Sequence, residues 1–494
     1  MLKKQRKKEN MHDYNEKQLQ KAGRNLKLPF CLYLKDSDKE VICTQLLRIV
    51  PKRRAVYLGQ WGGKKVVAKL YYQSQHIKRH IHREVSGTTA LKNAGIQTAG
   101  LLFSGYTKES CVGVLLFEYI DPALQFEQAW EQCGSIENKQ ALLENFVTII
   151  ASMHRNGLLQ NDLHFNNFLV KENTIFAIDA ASINICNHQC PVAIDKGLKN
   201  LAVLFAQLKL PDMHLAETVF NSYVKALDLK PSESMFNTFK HMKTREQKQS
   251  IKRYLKKIFR ESTRHIHQHS FSRFMVCNRS FYSPLMAAML KDPDKTMGHL
   301  KWSELKKGNS STVSKINIDG TDFVVKRYNI KGLWHRIKRI FTTTRAARSW
   351  ENAHRLTALG IETPMPVALL EKRTGPFRGV AYYISKYVKG PDAAQFFATK
   401  NHISQKNVAR QIAQLFHNLK TARISHGDMK ATNIIIVDQQ PFLIDLDAMR
   451  THVSRKRFDK AHEKDLNRFN KNWKLLPNVG EMFSKLLDNP MADV

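Results

Sequence analysis

In Ser425-His426-Gly427-Asp428-Met429-Lys430-Ala431-Thr432-Asn433, an aspartate precedes an asparagine by five residues, and an apolar run ending in Leu443-Ile444-Asp445 places a second aspartate twelve residues after that asparagine. The same arrangement stands in the first half of the chain. There Gln160-Asn161-Asp162-Leu163-His164 is followed by Asn167 and by an apolar run ending in Ile178-Asp179, again with separations of five and twelve. Two accidental matches in residue type, order and spacing are improbable, so the chain reads as two copies of one unit. Downstream, Leu198, Leu201 and Phe205 align with Leu466, Phe469 and Trp473 in a helix-spaced apolar stripe that belongs to a core.

Upstream of each motif lies a β-like run carrying one lysine: Lys65-Val66-Val67-Ala68-Lys69-Leu70 in the first copy and Asp322-Phe323-Val324-Val325-Lys326-Arg327 in the second. A helical segment follows, with Glu84 in the first copy and Glu351 in the second, and then further strands at Val112 to Ile120 and Val380 to Val388. Strands, one helix, more strands and then helices predict an α+β chain. Each copy should be a bilobal domain with a small antiparallel-sheet lobe, a mainly helical lobe and a cleft between them. The lobes should join near Glu118 to Asp121 and near Ser385 to Gly390. We place the first domain at residues 36–238 and the second at 296–494. Residues 1–35 read as a basic extension, and 239–295 as a basic helical linker or the end of the first domain.

The repeated residues suit phosphoryl transfer, which needs charge neutralised and an acceptor hydroxyl held in line more than it needs covalent help. Asp445 is suited to bind Mg2+ bridging nucleotide phosphates, and Asn433 offers an amide oxygen to the same metal or to a second ion. Asp428 would orient the acceptor hydroxyl and take its proton. Lys326 would meet the α and β phosphates of ATP, with Glu351 holding it in place. Taken singly, each has a structural explanation as a turn, cap, strand end or solvated lysine. The fixed order, repeated, favours catalysis.

The segment Ser425 to Asn433 with Leu443-Ile444-Asp445 resembles the catalytic and metal-binding loops of the protein kinase superfamily. The wider second half, through Phe323 to Tyr328, Arg345 to Arg355 and Gly360 to Pro366, most resembles the lipopolysaccharide core heptose kinase family. That resemblance implies two tandem protein-kinase-like domains and ATP-dependent phosphorylation of a sugar hydroxyl on the lipopolysaccharide core glycolipid. It also implies a cytoplasmic protein bound peripherally to the anionic inner-membrane surface. It gives Lys326 the nucleotide-contacting role, Asp428 the role of base, Asn433 and Asp445 the metal, and Lys430 the steadying of the transferring phosphate. The first copy keeps the corresponding Lys69, Glu84, Asp162, Asn167 and Asp179, with His164 in place of Lys430, as in sugar and antibiotic phosphotransferases of the same superfamily. It has Gly197 in place of Asp465, which removes an anchoring carboxylate.

Nucleotide loops favour glycine because backbone amides must approach phosphate closely. The candidates are Gly308-Asn309-Ser310-Ser311-Thr312 in the second copy and Gly59-Gln60-Trp61-Gly62-Gly63 in the first; an ordinary hairpin turn is the plainer reading of either.

Composition frames these readings. The 494 residues exceed a single core, and 43% apolar with 25% charged residues is ordinary for a globular protein. The 79 Lys plus Arg against 43 Asp plus Glu leave +36, a field that attracts polyanions. The basic residues fall in blocks, as in Lys3 to Lys8, Lys240 to Arg264 and Lys331 to Arg348. Ile251, Tyr254, Leu255, Ile258 and Phe259 give the middle block an amphipathic helical face, suited either to a core or to anionic lipid. No run approaches the ~20 apolar residues of a membrane span, and the N-terminus lacks a secretory signal. Seven irregularly spaced cysteines fit a reducing compartment, and the Cys186, His188, Cys190 cluster lacks a second zinc-spaced pair. No specific nucleic-acid partner is expected. The competing readings are a protein Ser/Thr or small-molecule kinase, and an inactive scaffold on anionic surfaces. Retention of both metal ligands in both copies argues against the scaffold.

Overall fold

The computed structural model describes residues 12, 14–24, 26–72, 74–186, 190–297, 302–308, 310–329, 342–399 and 402–488. The basic run Lys3 to Lys8, His188, Asn309 and residues 330–341 lie outside them. The chain divides into two units, residues 1–208 with 212–249, and residues 209–211 with 250–494. The content is mixed helix and antiparallel sheet in each.

In the first unit a six-stranded antiparallel sheet runs Phe30–Leu32, Val41–Val50, Arg54–Trp61, Lys64–Tyr71, Gly113–Glu118, Leu101–Tyr106. Alternation along Lys64–Tyr71 sends Val66, Ala68 and Leu70 into the core and leaves Lys69 on the other face. On that face lies the helix Ile77–Asn93, whose Glu84, Gly87, Thr88 and Leu91 are buried. Helices follow from Phe126 onward, and Phe146, Phe168, Phe205, Phe220 and Phe239 fill their core. The expected extension at residues 1–35 is in part built into the sheet. Phe30–Leu32 pairs with the strand Val41–Val50, and the buried Glu16 carboxylate accepts the backbone N–H groups of Glu109 and Cys111 at 2.9 and 2.8 Å.

The second unit repeats the five common strands in the same spatial order: Trp302–Lys307, Ser311–Ile318, Thr321–Tyr328, Phe377–Lys386, Pro366–Thr374. It adds His265–His269 and Arg273–Asn278 beyond Pro366–Thr374, which makes seven strands. The two copies therefore extend their sheets at opposite edges. This corrects the reading of 239–295 as linker or end of the first domain, because from Ser250 onward the chain belongs to the second unit. Met275 and Cys277 sit in the second sheet's core, and Leu255 and Ile258 are buried. The apolar face of the helix Glu233–Lys257 thus ends in packing rather than in a free lipid-binding stripe. No helix among the described residues is long and apolar enough to cross a membrane, and all seven cysteines are free thiols.

Each unit buries a histidine whose imidazole pKa is strongly depressed: His154 in the first and His354 in the second. In the first, His154 Nε2–H donates to Asn200 Oδ1 at 3.1 Å and Nδ1 meets the Tyr223 hydroxyl at 2.7 Å. Burial pushes this imidazole down to about 4, against the Asn200 hydrogen bond. In the second, His354 Nδ1 meets the Tyr254 hydroxyl at 2.7 Å, and its ring packs on Trp350 and His265. Burial first, then the His265 and Arg264 charges, push it down to about 3. An imidazole depressed in the folded state and ordinary, near 6.5, in the unfolded chain stabilises fully above 6.5 and loses that stability as pH falls. Denaturant melts at about pH 7.5 and about pH 5 should therefore differ by about 2 kcal/mol for each copy. Coincident melts would mean that these histidines are not held neutral.

Candidate active site

The second copy's site is built on a hairpin. Ile434–Val437 and Gln440–Leu443 pair through a two-residue turn in which Asp438 and Gln439 both have positive φ. Ile434 faces Leu443 across the pair, and Ile444 N–H donates to the Asn433 carbonyl at 2.9 Å. The ladder thus sets Asn433 beside the residue preceding Asp445. Asn433 Nδ2 donates to the Asp428 carbonyl at 2.8 Å, leaving the side-chain oxygen as its free acceptor. The first copy repeats this geometry: Phe168–Lys171 pairs with Thr174–Ala177, Ile178 N–H meets the Asn167 carbonyl at 2.8 Å, and Asn167 Nδ2 meets the Asp162 carbonyl at 2.8 Å. Asp445 and Asp179 share the left-handed region, with φ 61° and 62°. That conformation is uncommon for any residue but glycine and is best tolerated by Asp and Asn.

The strand lysines reach these aspartates. Lys326 Nζ donates to Asp445 and lies 3.4 Å from Asp447 Oδ2, while Lys69 Nζ lies 3.5 Å from Asp179 Oδ1. Burial by itself would raise both the Asp445 and the Asp179 carboxyl, but the adjacent lysine holds each below the usual carboxylate range. A carboxylate kept ionised in a partly buried cleft, next to an amide oxygen, is a hard-oxygen donor pair suited to Mg2+.

The clamp on the lysine differs between the copies. In the first, Lys69 Nζ meets Glu84 Oε1 at 2.6 Å, and the Tyr71 hydroxyl donates to the same oxygen at 3.3 Å. The pairing expected of Glu351 does not form, because Glu351 holds Arg355 at 2.7 Å on its own helix. The place of Glu84 is taken by Ser349, whose hydroxyl meets that of Tyr328, two residues past Lys326, at 2.8 Å. Three residues on, the helices again correspond. A Cβ on Gly87 would stand 2.1 Å from the Ala180 carbonyl oxygen, and Asn352 Nδ2 donates to the Leu446 carbonyl at 2.8 Å. The carboxylate missing from the second copy's helix has moved to Asp447, which Arg345 grips at 2.8 Å; the first copy has Ala181 there. The Asp-Leu-Asp spacing at 445–447 was the available signal. Asp447→Asn should raise the KM for ATP about tenfold by loosening Lys326, whereas Glu351→Gln should change it less than about twofold. Equal effects in steady-state kinetics would reject this exchange.

The loop carrying Asp428 is pinned from below. The buried Asp465 carboxylate accepts N–H groups from His426 at 2.6 Å and Gly427 at 2.9 Å, while His426 Nε2–H donates to the Ile444 carbonyl at 2.9 Å. Gly427 has φ 82°, a conformation that favours glycine, and a Cβ there would meet the Ala448 oxygen at 3.0 Å. Asp428 itself is held by Lys430 at 3.1 Å and by Arg468 at 2.5 Å. In the first copy Asp162 is more exposed, and its one ion-pair partner among the described residues is the His164 imidazole at 3.5 Å. His164 Nδ1 is tethered to Gln207 Oε1 at 2.8 Å. Gly197 leaves room for Tyr223, whose hydroxyl would stand 2.7 Å from an added Cβ.

Gly308 and Ser310 lie in the turn between Trp302–Lys307 and Ser311–Ile318, at the end of the sheet where Val313 pairs with Lys326. The candidate in the first copy is corrected. Gly62 and Gly63 turn the hairpin at the Trp61–Lys64 end, at the far end of the strand from Lys69. The turn at the lysine end is Pro51 to Arg53, without glycine, and Arg48 and Arg54 line a small pocket with Lys69 and Asp179.

The family model described as "Lipopolysaccharide kinase (Kdo/WaaP) family" matches residues 49–204 and 299–486, once over each copy. No curated protein matches the chain.

Proposed function

The chain belongs to the lipopolysaccharide kinase (Kdo/WaaP) family and is a kinase, and on that premise we propose that its second copy transfers the γ-phosphoryl group of ATP to a sugar hydroxyl, most specifically of a heptose, in the lipopolysaccharide core. The observation that carries the assignment to the second copy is the pinned loop: Asp465 beneath His426 and Gly427, with Asp428 between Lys430 and Arg468. A base fixed at its backbone keeps its geometry without reorganising during transfer.

In this reading the acceptor oxygen bonds to the γ-phosphorus, the bond to the β,γ-bridging oxygen breaks, ADP leaves, and the hydroxyl proton passes to Asp428. Lys430 steadies the transferring phosphate. Lys326, held by Asp445 and Asp447, meets the α and β phosphates, and the turn at Gly308, Ser310 and Ser311 covers them. Asn433 and Asp445 would hold Mg2+, which would supply neutralisation of the phosphate charge. Lys69, Glu84, Asp162, Asn167 and Asp179 form the matching set in the first copy, whose cleft takes a nucleotide with Arg48 and Arg54 in place of a glycine turn.

The +36 charge suits a protein that works at the anionic cytoplasmic face of the inner membrane without spanning it. Incubation with ATP, magnesium and purified core lipopolysaccharide, followed by hydrolysis and sugar analysis, should yield a phosphorylated core heptose. Phosphoserine or phosphothreonine on added protein, with unmodified glycolipid, would favour the protein-kinase reading instead.

A further inference from the structure

Three cations on the segment that anchors the Asp428 loop have no task in nucleotide chemistry. The helix Arg455–Asn470 and its 3₁₀ continuation place Lys464, Arg468 and Lys471 on one face, at spacings of four and three residues. With Ser425, Gly427 and Ala461 they line an open cleft. Gly427, in the wall of this cleft, immediately precedes Asp428 in the chain. The phosphates of ATP belong to Lys326 and the metal loop, and Lys430 to the group in transfer. Arg468 reaches Asp428 at 2.5 Å, while Lys464 and Lys471 have no carboxylate within ion-pair distance among the described residues. The one carboxylate in the wall, Asp465, is buried and already accepts two backbone N–H groups. The cleft is therefore cationic.

The first copy lacks the arrangement. Aligned on Gly197 and Asp465, its counterparts are Lys196, Asn200 and Val203. Asn200 turns inward, donating to the Gln160 carbonyl at 2.8 Å and accepting from His154. The loss of two of three charges where the loop anchor is also lost ties the cationic face to the loop that carries Asp428.

We infer that this cleft is a subsite for an anionic group, a phosphate or a carboxylate, carried by the acceptor sugar close to the hydroxyl that is phosphorylated. It rests on the acceptor assignment above and adds to it the acceptor's charge and the residues that read it. Compact, hydrated lysine ammonium groups bind such anions as point charges, and Arg468 couples their site to the base. An acceptor with its anion in the cleft brings its hydroxyl toward Asp428.

The test compares the parent chain with Lys464→Ala/Lys471→Ala in two assays. With core lipopolysaccharide as acceptor, the double variant should raise the glycolipid KM about tenfold or more and leave kcat and the KM for ATP within about twofold. Dephosphorylated and carboxyl-reduced acceptors then identify the anion, since the parent should show the raised KM with whichever acceptor lacks it. An unchanged glycolipid KM in the double variant overturns the subsite. The second assay measures inorganic phosphate binding with the nucleotide sites filled by ADP and magnesium. If the parent phosphorylates no glycolipid, phosphate binding that weakens about tenfold in the double variant keeps the subsite and removes the glycolipid acceptor. Absent binding, or equal binding in both chains, removes the subsite.

Discussion

Asp428→Asn should lower phosphoryl transfer by about a thousandfold, within the span that a positioned general base contributes, while Asp162→Asn should leave more than about half of the parent rate. The two aspartates occupy the same place in the repeat, and their asparagine partners bond the same carbonyl at the same distance. What differs is support. Asp428 is clamped by Lys430 and Arg468 above a loop held at two backbone nitrogens, whereas Asp162 faces one imidazole at 3.5 Å over a loop without that anchor. The measurement is kcat with saturating ATP and acceptor for each variant. A loss in Asp162→Asn equal to that in Asp428→Asn would make the copies interdependent or both catalytic.

Asp465→Ala should be nearly as damaging through a different route. Removing this carboxylate leaves the N–H groups of His426 and Gly427 without acceptors in a buried position, and a hydrogen bond to a charged group contributes about 1.5–3 kcal/mol. We expect a loss of about 3 kcal/mol in the stability of the second unit and a fall in kcat of about a hundredfold. Burial raises the pKa of Asp465 against the pull of those two amides and of His426. Asp465→Asn should recover only part of the stability, since its one oxygen accepts a single N–H group while its NH2 meets the other as a second donor, and still less of the rate. Chemical denaturation read beside kcat separates the two effects; a stable Asp465→Ala protein with full activity would remove the anchor from the account.

The parts of the site that were legible in the sequence are those fixed by short-range geometry. Asp428, Asn433 and Asp445 are tied by a five-residue loop and a two-residue hairpin, so their spacing in the chain determines their spacing in space. Lys326 was legible because a period of two places it opposite the buried Phe323 and Val325. Glu351 was not, because its role depended on the rotational phase of a helix that follows a longer connection than in the first copy. Two residues of helix are about 200° of rotation, which is the difference between Glu351 and Ser349. The compensating Asp447 had to be found 121 residues from its lysine.

Other misreadings have similarly physical origins. The strand His265–His269 has three histidines in five residues, and Arg273–Asn278 buries Met275, Val276 and Cys277 in succession without alternation, so only the pairing with Pro366–Thr374 shows them as sheet strands. In the first copy, glycine content pointed to the wrong hairpin. Gly59 is small because a Cβ there would stand 2.5 Å from the Ile42 oxygen, a matter of sheet packing and not of phosphate. The turn that lies by Lys69 carries arginines around it instead, which no glycine-based reading would find.

The most direct test of the central claim is the transfer of γ-labelled phosphate from ATP to purified core lipopolysaccharide by the parent chain and by Asp428→Asn. Label on the glycolipid with the parent, lost with Asp428→Asn, is the predicted result. Label that persists in Asp428→Asn would contradict the assignment of the second copy as the kinase, and a glycolipid left unlabelled by the parent chain would contradict the acceptor.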